Sequence, residues 1–167
     1  ENIRQGGRRR GANMGILRMD HPDIEEFIDA KQDGHSFQNF NISVAVTDAF
    51  MESVARDEEW SLKRRIVSAK KLFQNIAQAA WKVGDPGLIF LDAINRKNPT
   101  PALGQIEATN PCGEVPLLPY EACTLSSINL SRMVKGQPNS GSPEIDWNKL
   151  EETVGLAIRF LDNVVEV

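Results

Sequence analysis

The chain has 167 residues, of which 41% are hydrophobic and 25% charged, proportions of an ordinary soluble globular protein with enough apolar mass for one core. Its net charge of -4 argues against wholesale nucleic-acid binding, and no apolar run approaches the roughly 18 residues of a membrane span. Two cysteines and two histidines provide neither a disulfide framework nor a zinc-ligand spacing, and the basic start lacks the apolar stretch of a signal peptide, so a cytoplasmic location and no protein-held metal are expected.

In chain order, Arg4, Arg8, Arg9 and Arg10 crowd the first ten residues among Gly6 and Gly7, a combination that suits a binding loop reaching for anions or bases. Residues 13–19 read as a strand, after which Asp20 or His21 precedes a helix with Pro22 at its first position and Ile24, Phe27 and Ile28 on one face, ending near Lys31. A polar turn around Gly34 follows. The unit then repeats: residues 41–47 suit a strand, and Asp48 caps a short helix carrying Phe50, Met51 and Val54. Residues 57–65, dense in charge, read as an irregular surface excursion. Ser68 caps the next helix, in which Leu72, Phe73, Ile76, Ala80 and Val83 keep helical spacing until Gly84 and Pro86. Periodicity leaves residues 87–98 open between a buried strand and a short helix, and residues 98–104 form a loop.

Residues 109–130, TNPCGEVPLLPYEACTLSSINL, hold both cysteines. Asn110, Cys112 and Glu114 alternate, so an extended backbone would turn an amide, a thiol and a carboxylate to one side. Pro111, Gly113, Pro116 and Pro119 exclude a regular helix and disfavour a central strand, which leaves a stiff, bent loop. With no histidine in the segment a Cys-His hydrolase is disfavoured. A neutral thiol beside a carboxylate suits hydrogen-atom handling by the cysteine while the glutamate accepts a proton from the same reactant. The bland alternative is a buried cysteine with a solvated glutamate. Cys123 opens CTLSSINL, whose β-branched and apolar residues suit a strand, where the bland reading is a small core residue. Residues 136–143 form the most loop-like stretch, and Asp146 caps a last helix with Trp147, Leu150, Val154, Ile158, Leu161 and Val165 on one side. Strands alternating with helices indicate an α/β class. Three or four strands do not close a barrel and both ends look cut, so a partial catalytic domain is expected over residues 1–167.

NPCGEVPLLPYEAC followed by TLSSINLSRMV resembles the finger-loop region of ribonucleotide reductase large subunits, and NPCGE with PYEAC looks most like the adenosylcobalamin-dependent class II branch. QGGRRRGANMGILRMDHPDI resembles the specificity loop and following strand of that branch, and GDPGLIFLDAIN and AIRFLDNV fit in order. The resemblance implies a fragment of a ten-stranded α/β barrel, with residues 1–13 as a specificity-type loop and residues 105–122 as the finger loop. It implies Cys112 as the thiyl-radical cysteine, Glu114 as the base on the 3′ hydroxyl, Asn110 as a hydrogen-bonding partner of the sugar, and Cys123 as one of two reducing thiols. The second reducing thiol and the phosphate-binding loop are expected outside these residues. Gln5, Gly7 and Arg9 are implied in linking an effector to the substrate base; the plain alternative for the arginines is a solvated, phosphate-screening cluster. Implied cofactors and partners are adenosylcobalamin, a thioredoxin-like dithiol reductant, ribonucleotide substrate, deoxynucleotide or ATP effectors, and a second copy in a homodimer, with no nucleic acid or membrane. A class I large subunit fed by a separate radical-generating subunit, and a non-catalytic nucleotide-binding regulatory module, are the competing readings.

Overall fold

A computed structural model of the protein describes residues 4–5, 9–136 and 143–166, with the backbone alone for residues 4, 5, 9 and 10. Two compact units divide the chain, Glu1–Glu121 and Ala122–Val167.

In the first unit a short antiparallel ladder of β1 (Arg4–Gln5) and β2 (Arg9–Arg10) leads to β3 (Asn13–Arg18), α1 (Ile24–Asp29) and β4 (Phe40–Val46). The chain continues through α2 (Asp48–Arg56), a hairpin of β5 (Glu59–Ser61) and β6 (Ile66–Ser68), α3 (Ala69–Val83), β7 (Gly87–Phe90) and α4 (Leu91–Asn95). A second hairpin, β8 (Ala108–Thr109) with β9 (Pro116–Leu117), completes it. Strands β3, β4 and β7 form one parallel sheet in that order, with Gly15 opposite Ile42 and Ser43 opposite Gly87. Parallel neighbours require crossovers, which α1 supplies between β3 and β4 and the α2 to α3 segment supplies between β4 and β7.

The middle strand is buried from Ile42 to Val46, as a parallel strand covered on both faces must be. Side chains alternate across it. Val44 and Val46, with Leu17 and Leu88, join Ile24, Ile28, Phe50, Leu72 and Ile76 in the main core. Ala45, with Ile16 and Ile89, packs on the opposite face against Leu91 and Ile94. The expected strand-or-helix stretch at 87–98 is both in succession, since β7 runs directly into α4.

Local signals decide the helix ends. Ser68 Oγ accepts the Lys71 N–H at 3.3 Å and Gly84 closes α3 at φ +85, as expected. Thr47, not Asp48, caps α2: its Oγ1 accepts the Phe50 N–H at 3.2 Å, and Asp48 becomes the first helical residue, where its charge suits the helix dipole. Neither Asp20 nor His21 caps α1, which begins later, after Asp23; His21 Nδ1 instead accepts the Asp23 N–H at 3.2 Å.

Residues 57–65 are not an irregular excursion. Trp60 and Leu62, two apart, turn inward, while Ser61 between them and the charged residues on either side stay outside. Leu62 is fully buried, and Trp60 stands edge-on to Phe50 with ring centres 5.2 Å apart and donates Nε1–H to the Met19 carbonyl at 3.2 Å.

The second unit contains a 3-10 helix (Leu130–Met133), a ladder of β10 (Val134–Lys135) with β11 (Glu144–Ile145), and α5 (Trp147–Val165). Asp146 caps α5 as expected, its Oδ1 accepting the Lys149 N–H at 3.2 Å. The strand expected at CTLSSINL is absent: residues 122–129 carry no regular element, because no described strand offers them a ladder, and β-propensity without a partner is not a strand. Most of the loop expected at 136–143 lies outside the described residues. Among the described residues the sheets have two or three strands and no barrel closes, so the α/β content agrees with expectation while closure is not seen. No described helix is long and apolar enough to cross a membrane.

Candidate active site

The cysteine-bearing hairpin is built from its base. Asn95 at the end of α4 uses its side-chain amide as a peptide would: Nδ2 donates to the carbonyls of Leu91 (3.0 Å) and Ile106 (2.9 Å), and Oδ1 accepts the Ile106 N–H at 2.8 Å. Ile106 and Thr109 are buried, and the β8–β9 ladder sets Ala108 opposite Leu117 and Thr109 opposite Pro116. The six residues between the strands are then closed by Asn110. Its N–H donates to the Val115 carbonyl at 3.1 Å, and its Oδ1 accepts the Val115 N–H at 3.0 Å.

Within this loop the Gly113 N–H donates to the Asn110 carbonyl at 3.0 Å, which makes Asn110 to Gly113 a β-turn. Pro111 takes the second position, where its fixed φ is favoured, and Gly113 adopts φ +82. Cys112 is at the third position without a positive φ, the arrangement of a type I turn. The extended alternation expected for Asn110, Cys112 and Glu114 is therefore not formed; a turn replaces it and lifts the thiol to an apex. The signal was in the sequence, since Asn, Pro and Gly at positions one, two and four are type I preferences.

Cys112, Glu114 and Cys123 are all exposed and both thiols are free, so burial does not explain either cysteine. Cys112 borders an open cavity of about 460 Å³ whose other walls include Met14 on β3, Asn41 and Ser43 on β4, and Gly87 and Ile89 on β7. These residues share the sheet face that carries Ala45, and they lie toward the starts of β4 and β7. A larger apolar cavity of about 690 Å³ adjoins it beside Gly113, lined by Ile89, Phe90, Ile94 and Ile106. A third, of about 350 Å³, lies at the opposite ends of the strands, with Arg18, Thr47, Asp92 and Glu107 in its wall.

One residue of this site was not expected from the sequence. Asn41 Nδ2 donates to the Pro111 carbonyl at 2.5 Å, linking the start of β4 to the turn that carries the thiol. Nothing local marks Asn41, a polar residue at the head of a strand. Asn110, Cys112 and Glu114 thus share one loop of the first unit, while Cys123 belongs to the second. In the N-terminal ladder Gln5 pairs with Arg9 in register; Gly7 and the side chains of Gln5 and Arg9 lie outside the described residues. No described group of His, Cys, Asp and Glu could hold a metal ion. An exposed thiol at a turn apex, over a cavity and two residues from a carboxylate, can exchange a hydrogen atom with one partner while a proton moves to the carboxylate.

Comparison with known proteins agrees with the sequence motifs. The chain is 51% identical to a vitamin B12-dependent ribonucleoside-diphosphate reductase of Mycobacterium tuberculosis (strain H37Rv), over 99% of the chain and 24% of that protein. It is also 51% identical to the protein of the same name in Thermoplasma acidophilum, over 98% of the chain and 22% of the relative. To a vitamin B12-dependent ribonucleotide reductase of Streptomyces clavuligerus it is 35% identical, over 96% of the chain and 20% of the relative. The chain therefore spans between 20% and 24% of the length of these relatives. The family described as ribonucleotide reductase, barrel domain, matches residues 1–167, and the chain belongs to that family.

Proposed function

We propose that the chain is part of the catalytic barrel of a vitamin B12-dependent reductase that converts ribonucleoside diphosphates to 2′-deoxyribonucleotides, with Cys112 as its radical-carrying thiol. The observation that carries this reading is the exposed Cys112 at the apex of a turn secured at base and tip, above a cavity that admits a reactant. The names of the relatives support cobalamin over a separate radical-generating subunit and the diphosphate over the triphosphate. Residues 1–13 are read as the specificity-type loop, with Gln5, Gly7 and Arg9 toward effector and base, and residues 105–122 as the finger loop. Adenosylcobalamin fits an exposed thiol that can be reached from outside the loop, and when bound it would supply the radical that removes the hydrogen of Cys112.

The chain's residues then do the following. The Cys112 sulfur takes the hydrogen atom from the 3′ carbon, breaking C–H and forming S–H, while Glu114 accepts the 3′ hydroxyl proton. Asn110, whose Oδ1 is committed to Val115, has its amide N–H groups for the sugar. The 2′ hydroxyl leaves as water. Cys123 and a second thiol together supply two electrons and two protons, ending as a disulfide, Glu114 returns its proton to the 3′ oxygen, and Cys112 returns its hydrogen to the 3′ carbon. Both cysteines of the chain are used in these roles, so the second reducing thiol comes from the remainder of the polypeptide. A thioredoxin-like dithiol would restore the pair, and a homodimer and nucleotide effectors belong to the same reading.

The test uses the complete reductase and substrate labelled in the hydrogen on the 3′ carbon. Cys112→Ser should release no label and no product, because an alcohol O–H is a much stronger bond than a thiol S–H. Cys123→Ser should still release label and free base, without deoxynucleotide. Label loss by Cys112→Ser, or normal turnover by Cys123→Ser, overturns the assignment.

A further inference from the structure

We propose that Asn41 is a positioning residue for Cys112, and that the Lys31–Asp85 ion pair aims it; this rests on the radical reading of Cys112. The hydrogen bond from Asn41 Nδ2 to the Pro111 carbonyl joins residues 70 apart in sequence, and the carbonyl belongs to the peptide bond that leads into Cys112. It is the tie from the sheet to the tip of the loop, where Asn110 closes only the loop upon itself. A turn held at its base alone can still rock about that base. A bond from the sheet to the residue before the thiol removes that freedom and sets the height of the sulfur above the cavity that Asn41 and Cys112 both line.

Asn41 is itself gripped on both sides. Lys31 Nζ donates to the Phe40 carbonyl at 2.7 Å, and Asp85 Oδ1 accepts the Ile42 N–H at 3.4 Å, so the two peptide groups flanking Asn41 are each bonded to one member of a single ion pair. The pair closes on itself, Lys31 Nζ to Asp85 Oδ2 at 2.5 Å, with both side chains mostly shielded from solvent. The sheet explains the arrangement. Pairing of β4 with β7 starts only at Ser43 opposite Gly87, and Pro86 has no N–H to extend it. Asp85 therefore continues the β7 side of the ladder by one side-chain bond, while β3 pairs with the start of β4 on its other side.

Positioning errors of about 1 Å can cost on the order of a hundredfold in rate, so removal of the tie should appear in turnover and not in nucleotide affinity. In the complete reductase, Asn41→Leu and Asn41→Asp keep the size of the side chain and remove its donor at an exposed position, so folding is retained and is checked by thermal melting. The expected result is a kcat lower by about tenfold or more, a nucleotide KM within about twofold of the parent, and a larger isotope effect with substrate deuterated at the 3′ carbon, because hydrogen transfer becomes slower relative to later steps. Hydrogen exchange of residues 108–117 in the resting enzyme should quicken in the same variants. An unchanged isotope effect with unchanged exchange of 108–117 overturns the proposal, whether kcat is retained or falls only with the folded fraction. Turnover by Cys112→Ser would instead refute the radical reading, and faster exchange of 108–117 in the Asn41 variants would still stand as the sign of the tie.

Discussion

Glu114 follows the turn apex by two residues and is exposed, so its carboxylate is accessible to a hydroxyl presented above Cys112. Glu114→Gln in the complete reductase should lower the rate of label release from the 3′ carbon by about a hundredfold or more, the usual contribution of a general base, with both thiols still reactive to alkylation. Unchanged release would remove Glu114 from that role. A second carboxylate shows how local bonding sets a titration. The Asp33 carboxyl accepts the Ser36 hydroxyl, the Ser36 N–H at 2.8 Å and the His35 N–H at 2.9 Å, and these bonds hold it down at about 2. The folded value lies below the unfolded one, so the turn's contribution is full above about pH 4 and is lost as pH falls through about 2. Amide protection factors at His35 and Ser36, measured by NMR as exchange relative to an unstructured peptide at the same pH, should hold at pH 4 and fall toward one near pH 2. Loss of protection already at pH 4 would contradict the bonding.

At the scale of elements, the hairpin depends on Asn95, whose amide meets both polar groups of the Ile106 peptide. Asn95→Ala leaves a partly buried N–H and C=O without those partners, and should cost on the order of 1–3 kcal/mol in denaturant unfolding. The same variant should quicken exchange along 105–117 while leaving α3 protected, since the caps of that helix are Ser68 and Gly84 and not the hairpin. Equal exchange in variant and parent would show that Asn95 is not the anchor. The contrast with β4 is instructive. That strand is held by ladders on two sides and by apolar cover on both faces, whereas β8 and β9 are two residues each and rely on side chains of Asn95, Asn110 and Asn41 to keep their place.

For the whole chain, apolar cover is unequal. The first unit contains the buried cluster around Phe50, Leu62 and Leu72, while α5 in the second has no buried residue and exposes Leu156, Ile158 and Phe160. Limited proteolysis of the isolated chain should therefore cut first after about residue 121, leaving a resistant product that contains α1 to α4 and the hairpin. First cuts within α3 or β4 would contradict this. Much of the architecture was readable in advance because it is written in near neighbours. The β-forming run of β4, the helical spacing of Leu72 and Ile76, the Ser68 and Asp146 caps and the Gly84 stop are all local signals, and the motif NPCGE with PYEAC was sufficient for the family. What the tertiary structure decided was nonlocal. The pattern of residues 57–65 was masked by charge until Leu62 and Trp60 found the core, and CTLSSINL kept its β-forming side chains without a neighbouring strand to make them one. The turn at Asn110–Gly113, by contrast, is local and its Asn, Pro and Gly signal it, although the alternation of Asn110, Cys112 and Glu114 suggested extended backbone. Asn41 was invisible because a hydrogen bond spanning 70 residues exists only once the sheet has brought the start of β4 beneath Pro111.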